Sequence, residues 1–146
     1  MSKKLYVADA SVMAKWLRTE KEEYIEQANA MLEDLQNGNI EIYAPELAKY
    51  EIGNFLKKRK LLSYEAKSSL ATYYSLPITF LPETKELADK TYQFADELHI
   101  TYYDAAYLSL AEELKSGLIT ENVKHHGKAT TIKIIPLAHY KKSEAV

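Results

Sequence analysis

Short apolar runs of strand length recur along this chain, and most are followed by a stretch with helical spacing. Lys4 to Ala8 (KLYVA) is such a run, and the cap-type residues Asp9 and Ser11 then lead into helical spacing from Val12 to Leu17. Residues 21–37 put Ile25, Ala28, Leu32 and Leu35 on one helical face, and Gly38 stands where a left-handed C-cap belongs. Ile40 to Ala44 (IEIYA) alternates as a strand does, and Pro45 opens a helical stretch to about Lys60. Ser63 is expected to cap a helix through Ser75, before a short strand from Pro77 to Leu81. Helices are expected from Thr84 to Leu98 and from Tyr102 to Lys115, the second capped by Thr101 and closed by Gly117. Gly117 to Thr120 (GLIT) reads as a strand, 121–130 as a polar loop and Thr131 to Ile135 as a last strand before Pro136.

Such alternation favours a parallel sheet covered on both faces, because right-handed crossovers return each strand beside its predecessors. The expected fold is α/β: a three-layer α/β/α sandwich on a four- to five-stranded parallel sheet, with the site at the carboxyl edge. The chain of 146 residues is long enough for one domain with a sizeable core and leaves little room for two. Without cysteine, disulfides, thiolate zinc sites and cysteine nucleophiles are excluded. The N-terminal MSKK runs straight into an apolar strand, and no apolar stretch approaches a membrane span, so the cytoplasm is the expected location. A net charge of −2 lacks the basic excess of many non-enzymatic nucleic-acid binders, so any contact with nucleic acid must be local.

In this architecture, three acids from separate stretches collect at one edge. Asp9 directly follows the first strand, where ligands of open α/β sheets bind. It could instead cap the next helix, although Ser11 competes for that role and could hydrogen-bond to Asp9. Glu51 shares a helical face with Leu47, Ala48 and Phe55, and an inward carboxylate needs a partner or a metal. The alternative is a boundary glutamate paired with Lys58. Asp104 lies in the first turn of its helix on the face of Tyr107, Leu108 and Ala111, with no evident internal cation. A first-turn acid can also simply complement the helix dipole. Converging carboxylates repel one another unless a cation neutralises them. An all-oxygen donor set suits Mg2+ or Mn2+ better than zinc, and phosphodiester hydrolysis follows from that chemistry.

Taken together, YVADASVMAKWL, YAPELAKYEIGNFL, ITYYDAAYLSLA and GLITEN resemble the PIN-domain family over nearly the whole chain, especially its VapC-type toxin ribonucleases. The resemblance implies that Asp9, Glu51 and Asp104 bind Mg2+ or Mn2+ and that Ser11 and Thr120 are the supporting hydroxyls. The family commonly adds a fourth acid two residues after that threonine, where this chain carries Asn122 with Glu121 just before it. Asparagine offers an oxygen without the charge, and Glu121 could substitute as a ligand. The resemblance also implies an RNA substrate, a homodimer and a cognate antitoxin protein.

Positive charge near the site comes from Lys57 to Lys60 (KKRK), Lys15 with Arg18, and Lys124 to Lys128 (KHHGK). The last group follows Thr120, so Lys124, His125, His126 and Lys128 could contact RNA phosphates, or form only a solvated loop. Tyr102 and Tyr103 could stack on unpaired bases or merely pack. Two rival readings are a non-catalytic PIN-like binding module, which Asn122 would explain, and a phosphotransfer receiver. The receiver is disfavoured because the third strand ends in Leu81-Pro82 rather than an aspartate.

Overall fold

A computed structural model describes residues 3–17, 23–126, 128 and 131–143, with the His125 side chain outside the description. Five parallel strands form one sheet in the order β3-β2-β1-β4-β5: β1 (Lys4–Ala8), β2 (Ile40–Pro45), β3 (Ile78–Leu81), β4 (Gly117–Thr120) and β5 (Ile134–Pro136). Between β1 and β2 run α1 (Ala10–Met13), a 3-10 turn over Ala14–Leu17 and α2 (Ile25–Gln36). Helices α3 (Leu47–Lys58) and α4 (Ser63–Ser75) join β2 to β3; α5 (Lys85–Leu98) and α6 (Tyr102–Leu114) join β3 to β4; α7 (Val123–His126) precedes β5.

The chain builds outward from β1 to β3, then returns to lay β4 on the other side of β1. Right-handed crossovers therefore put α1 to α4 on one face and the α5–α6 pair on the other, making the expected three-layer sandwich. The strand order also separates this fold from the receiver arrangement, in which β1 does not have β2 and β4 as its two neighbours. Buried residues from both layers meet on the sheet, among them Ile42, Leu118 and Ile119 from the strands, Met31 and Ile52 from one layer and Leu108 from the other. Each such side chain contributes roughly 1.5–3 kcal/mol by leaving water.

Several local expectations change. Helix α1 starts at Ala10, with Asp9 itself as the N-cap. Ser63 is the first helical residue of α4 rather than its cap, and the Glu65 carboxylate accepts from the Leu62 N–H instead. Lys115, at φ +53°, ends α6, while Gly117 opens β4. Gly117 is small for a tertiary reason, since an added Cβ would come within 2.9 Å of Ile135 Cδ1 on β5. Gly38 does take the expected left-handed turn, at φ +76°. The segment expected to be only loop contains α7, and the last strand is shorter and later than Thr131 to Ile135. Among the described residues, no helix is long and apolar enough to cross a membrane.

Candidate active site

The direction of chain growth reverses between β1 and β4, and a crevice at the carboxyl ends of two such strands is where open α/β sheets bind ligands. Asp9 ends β1 there and is only 4% exposed. Its carboxylate accepts hydrogen bonds from Ser11 Oγ at 2.5 Å, the Val12 amide at 3.3 Å and the Thr120 hydroxyl at the end of β4. Capping and site roles thus coincide in Asp9, and Ser11 serves the carboxylate rather than the helix amides. Burial raises the Asp9 pKa above its ordinary value; the hydrogen bonds from Ser11 and Thr120 and the field of His126 offset part of that rise.

Glu51 reaches the same rim from the second turn of α3. Its Oε1 accepts from the Tyr107 hydroxyl at 2.5 Å, so its partner is a tyrosine on α6 and not the alternative Lys58. Lys58 instead stands along an open cleft of about 410 Å³ that Glu51 shares with Ser11, Asn54 and Glu121. Burial raises the Glu51 pKa, the Tyr107 bond lowers it, and the charges of Asp9 and Asp104 raise it further. Asp9 and Asp104 therefore both lie within electrostatic range of Glu51.

Asp104 is in the first turn of α6, whose N-cap Thr101 binds the Asp104 amide at 3.0 Å. Its Oδ1 lies 3.5 Å from Asn122 Nδ2, a distance at the limit of a hydrogen bond. The Asn122 backbone amide donates to Thr120 Oγ1 at 2.8 Å, so Asn122 is held against both Thr120 and Asp104. Glu121 is turned differently: its carboxylate pairs with the buried Lys15 ammonium at 3.3 Å, and its amide donates to Ser11 Oγ. Lys15 also donates to the Glu23 carbonyl at 2.6 Å. Glu121 thus brings little uncompensated charge to the rim.

His126 is the residue the sequence reading placed least well. It is 1% exposed and faces away from solvent, which removes it from the set of phosphate contacts. Its Nε2 lies 3.1 Å from the Asp104 carbonyl oxygen, which can only accept, so Nε2 carries a proton. Its Nδ1 lies 3.1 Å from Thr120 Oγ1 and 3.4 Å from Asp9 Oδ2. The sequence offered a weak signal, since His126 sits one helical turn beyond Asn122 and its amide bonds the Asn122 carbonyl. Tyr107 had a clearer one, three residues beyond Asp104 on the same helical face.

Of the other basic positions, Lys124 is exposed on α7, and exposed Lys128 is tied to the Leu98 carbonyl at 3.3 Å. Arg59 donates to the Leu17 carbonyl at 3.4 Å. Arg18 and the His125 side chain lie outside the described residues. Trp16, expected only to pack, also donates to the Ala28 carbonyl at 2.9 Å.

The donors at the rim fit a hard divalent cation in kind: carboxylate oxygens, an amide oxygen and hydroxyls, with no sulfur. Among the described residues, no three acidic or histidine side chains converge closely enough to hold one ion as they stand. Each acid is turned toward a protein donor instead. Mg2+ commonly keeps several waters and takes only one or two carboxylates directly, which relaxes the demand for convergence.

The fold has counterparts. No curated protein matches the chain by sequence. Among solved structures, a protein from Pyrobaculum aerophilum is similar with a TM-score of 0.65 and 22% identity, covering 92% of each chain. VapBC2 from Rickettsia felis, bound to a DNA fragment from its promoter, is similar with a TM-score of 0.69 and 14% identity, over 90% of this chain and 98% of that one. VapC20 from Mycobacterium tuberculosis, a toxin that cleaves the sarcin-ricin loop, gives a TM-score of 0.60 and 14% identity, over 80% and 87%. The family model for the PIN domain matches residues 6–129, a span that takes in Asp9, Glu51, Asp104 and Asn122, and the chain belongs to the PIN domain family.

Proposed function

We propose that this protein is a Mg2+- or Mn2+-dependent endoribonuclease and the toxin of a toxin–antitoxin pair. The observation that carries the reading is the placement of Glu51 on α3 within the fields of Asp9, just after β1, and Asp104 on α6, at the switch point of the sheet. Asp9, Glu51 and Asp104 would hold the ion, with Asn122 offering a neutral oxygen and Glu121 at the margin. A bound ion of this kind supplies an acidified water and stabilises charge on phosphate oxygens. Ser11 and Thr120 keep the Asp9 carboxylate oriented, and Tyr107 does the same for Glu51. His126 joins the end of β4 to the first turn of α6, so Asp9 and Asp104 are held in register. Exposed Lys124 and Lys128 supply positive charge for the RNA backbone.

The toxin assignment draws on the likeness to VapC20, described as a toxin, and to VapBC2. A cognate antitoxin protein and a homodimeric state belong to the same reading; affinity co-purification and light scattering test them. A second reading, a non-catalytic binding module, is favoured by Asn122 in place of the usual acid. Mn2+-dependent cleavage of mixed RNA by wild type and by Asp104→Asn, both checked for folding, decides between them. The nuclease reading expects cleavage by wild type and its loss in the variant. No cleavage by wild type supports the binding module, and equal cleavage by both overturns this site.

A further inference from the structure

A second depression lies on the same rim, beyond the acids. It is bounded by Pro45, Glu46 and Leu47 where β2 passes into α3, by Glu83 after β3, and by Tyr102 and Tyr103 at the start of α6. Its volume is about 230 Å³ and its lining is mainly apolar. The Glu46 amide donates to the Leu81 carbonyl at 3.1 Å, which ties the β2 and β3 ends together beneath it. Tyr103 is 61% exposed and immediately precedes Asp104. Its ring and that of Tyr102, 37% exposed, give this depression two aromatic residues open to solvent on one side.

We infer that this depression is a nucleobase pocket, selective for guanine, that receives a base next to the scissile phosphate. This rests on the nuclease reading. The pocket is one to two strand positions from Asp9, roughly 5–10 Å along the sheet, within reach of one nucleotide. Its charged groups are carboxylates, which repel phosphate and accept from base donors. The Glu83 carboxylate already accepts from the Tyr102 hydroxyl at 2.6 Å, which fixes one wall. Glu46 Oε2 is held by Lys49 at 2.9 Å, yet its side chain is 43% exposed and its other oxygen can still accept. Unpaired bases in RNA are recognised by stacking on aromatic rings and by hydrogen bonds along their Watson–Crick edges. Guanine presents two adjacent donors there, N1–H and N2–H, matching a carboxylate. Adenine and cytosine present one amino group, and uracil flanks its single N–H with two carbonyls that a carboxylate repels.

The test begins without metal or cleavage. Amide chemical shifts of the full-length protein are followed by NMR during titration with 5′-GMP and with 5′-UMP in EDTA. The expected result is saturable shifts at Leu47, Tyr103 and Ala106 with GMP and much weaker ones with UMP. Glu46→Gln should remove the preference, and Tyr103→Ala should weaken GMP by about tenfold, in the range known for loss of one stacked base. Tyr103→Phe, which keeps the ring, should bind as wild type does. In parallel, cleavage ends in a randomised RNA are sequenced, with enrichment of guanine beside the cut expected for wild type and lost in Glu46→Gln. Pocket shifts without any cleavage would leave the pocket standing and sink the nuclease reading. Cleavage with no GMP-dependent shifts, and an end profile unchanged in both variants, overturns the pocket and leaves the nuclease reading intact.

Discussion

The Thr120 hydroxyl donates to the Asp9 carboxylate across 111 positions of sequence, joining the ends of β4 and β1 at the point where the sheet reverses its order of growth. The same oxygen receives the Asn122 amide and faces His126 Nδ1. Thr120→Val keeps the shape but deprives a buried carboxylate of a donor. Loss of about 1–3 kcal/mol of stability is expected. Mn2+ affinity should fall roughly 10–100-fold, as for other partners that orient a metal ligand. Thr120→Ser should restore most of both. Thermal unfolding and Mn2+ titration by electron paramagnetic resonance measure the two effects.

Asp9 makes the metal-free fold sensitive to pH. Its pKa is raised by burial above 3.8, so the folded state holds the proton more tightly than the unfolded chain. Stability of the metal-free protein should therefore rise as pH falls from above the folded pKa toward 3.8, and decline again as pH climbs through that window. Added Mg2+ should oppose the trend, because it favours the carboxylate. Asp9→Asn keeps a competent N-cap and removes the buried charge. It should flatten this part of the stability profile while abolishing metal-induced stabilisation; an unchanged profile by denaturant titration at several pH values would refute the assignment.

Tyr107→Phe isolates the bond to Glu51, since the buried ring is retained. The hydroxyl lowers the Glu51 pKa, so its removal leaves burial and the charges of Asp9 and Asp104 less opposed. Metal binding should then require a higher pH than in wild type, with a stability change of only about 1 kcal/mol. Calorimetric Mn2+ titrations across a pH series read the displacement directly.

Asn122→Asp restores an acid at the position where the family commonly carries one. In the metal-free state it would set a second carboxylate where Asn122 Nδ2 now lies 3.5 Å from Asp104 Oδ1, and like charges at that separation repel. The variant should be less stable than wild type in EDTA and more strongly stabilised by Mn2+, with a higher bound-ion count. Equilibrium dialysis against Mn2+, paired with melting curves, tests it; equal stoichiometry and equal stability would place residue 122 outside the ion's reach.

Local patterns in the sequence were enough for the strand–helix alternation and the parallel sheet, because each depends on spacing within a few residues. A strand end followed by Asp9, an inward position for Glu51 on α3 and a first-turn Asp104 are all properties of single elements. Tertiary structure alone decided which of those elements meet. The bond from Tyr107 to Glu51 spans 56 positions, and the pairing of Lys15 with Glu121 brings together the turn after α1 and the end of β4. The burial of His126 follows from α7 folding under α6, in a stretch whose polar composition reads as loop. Periodicity reports which face of an element is buried. It carries no information about the partner across that face, and the partner sets the charge and orientation of every acid at this rim.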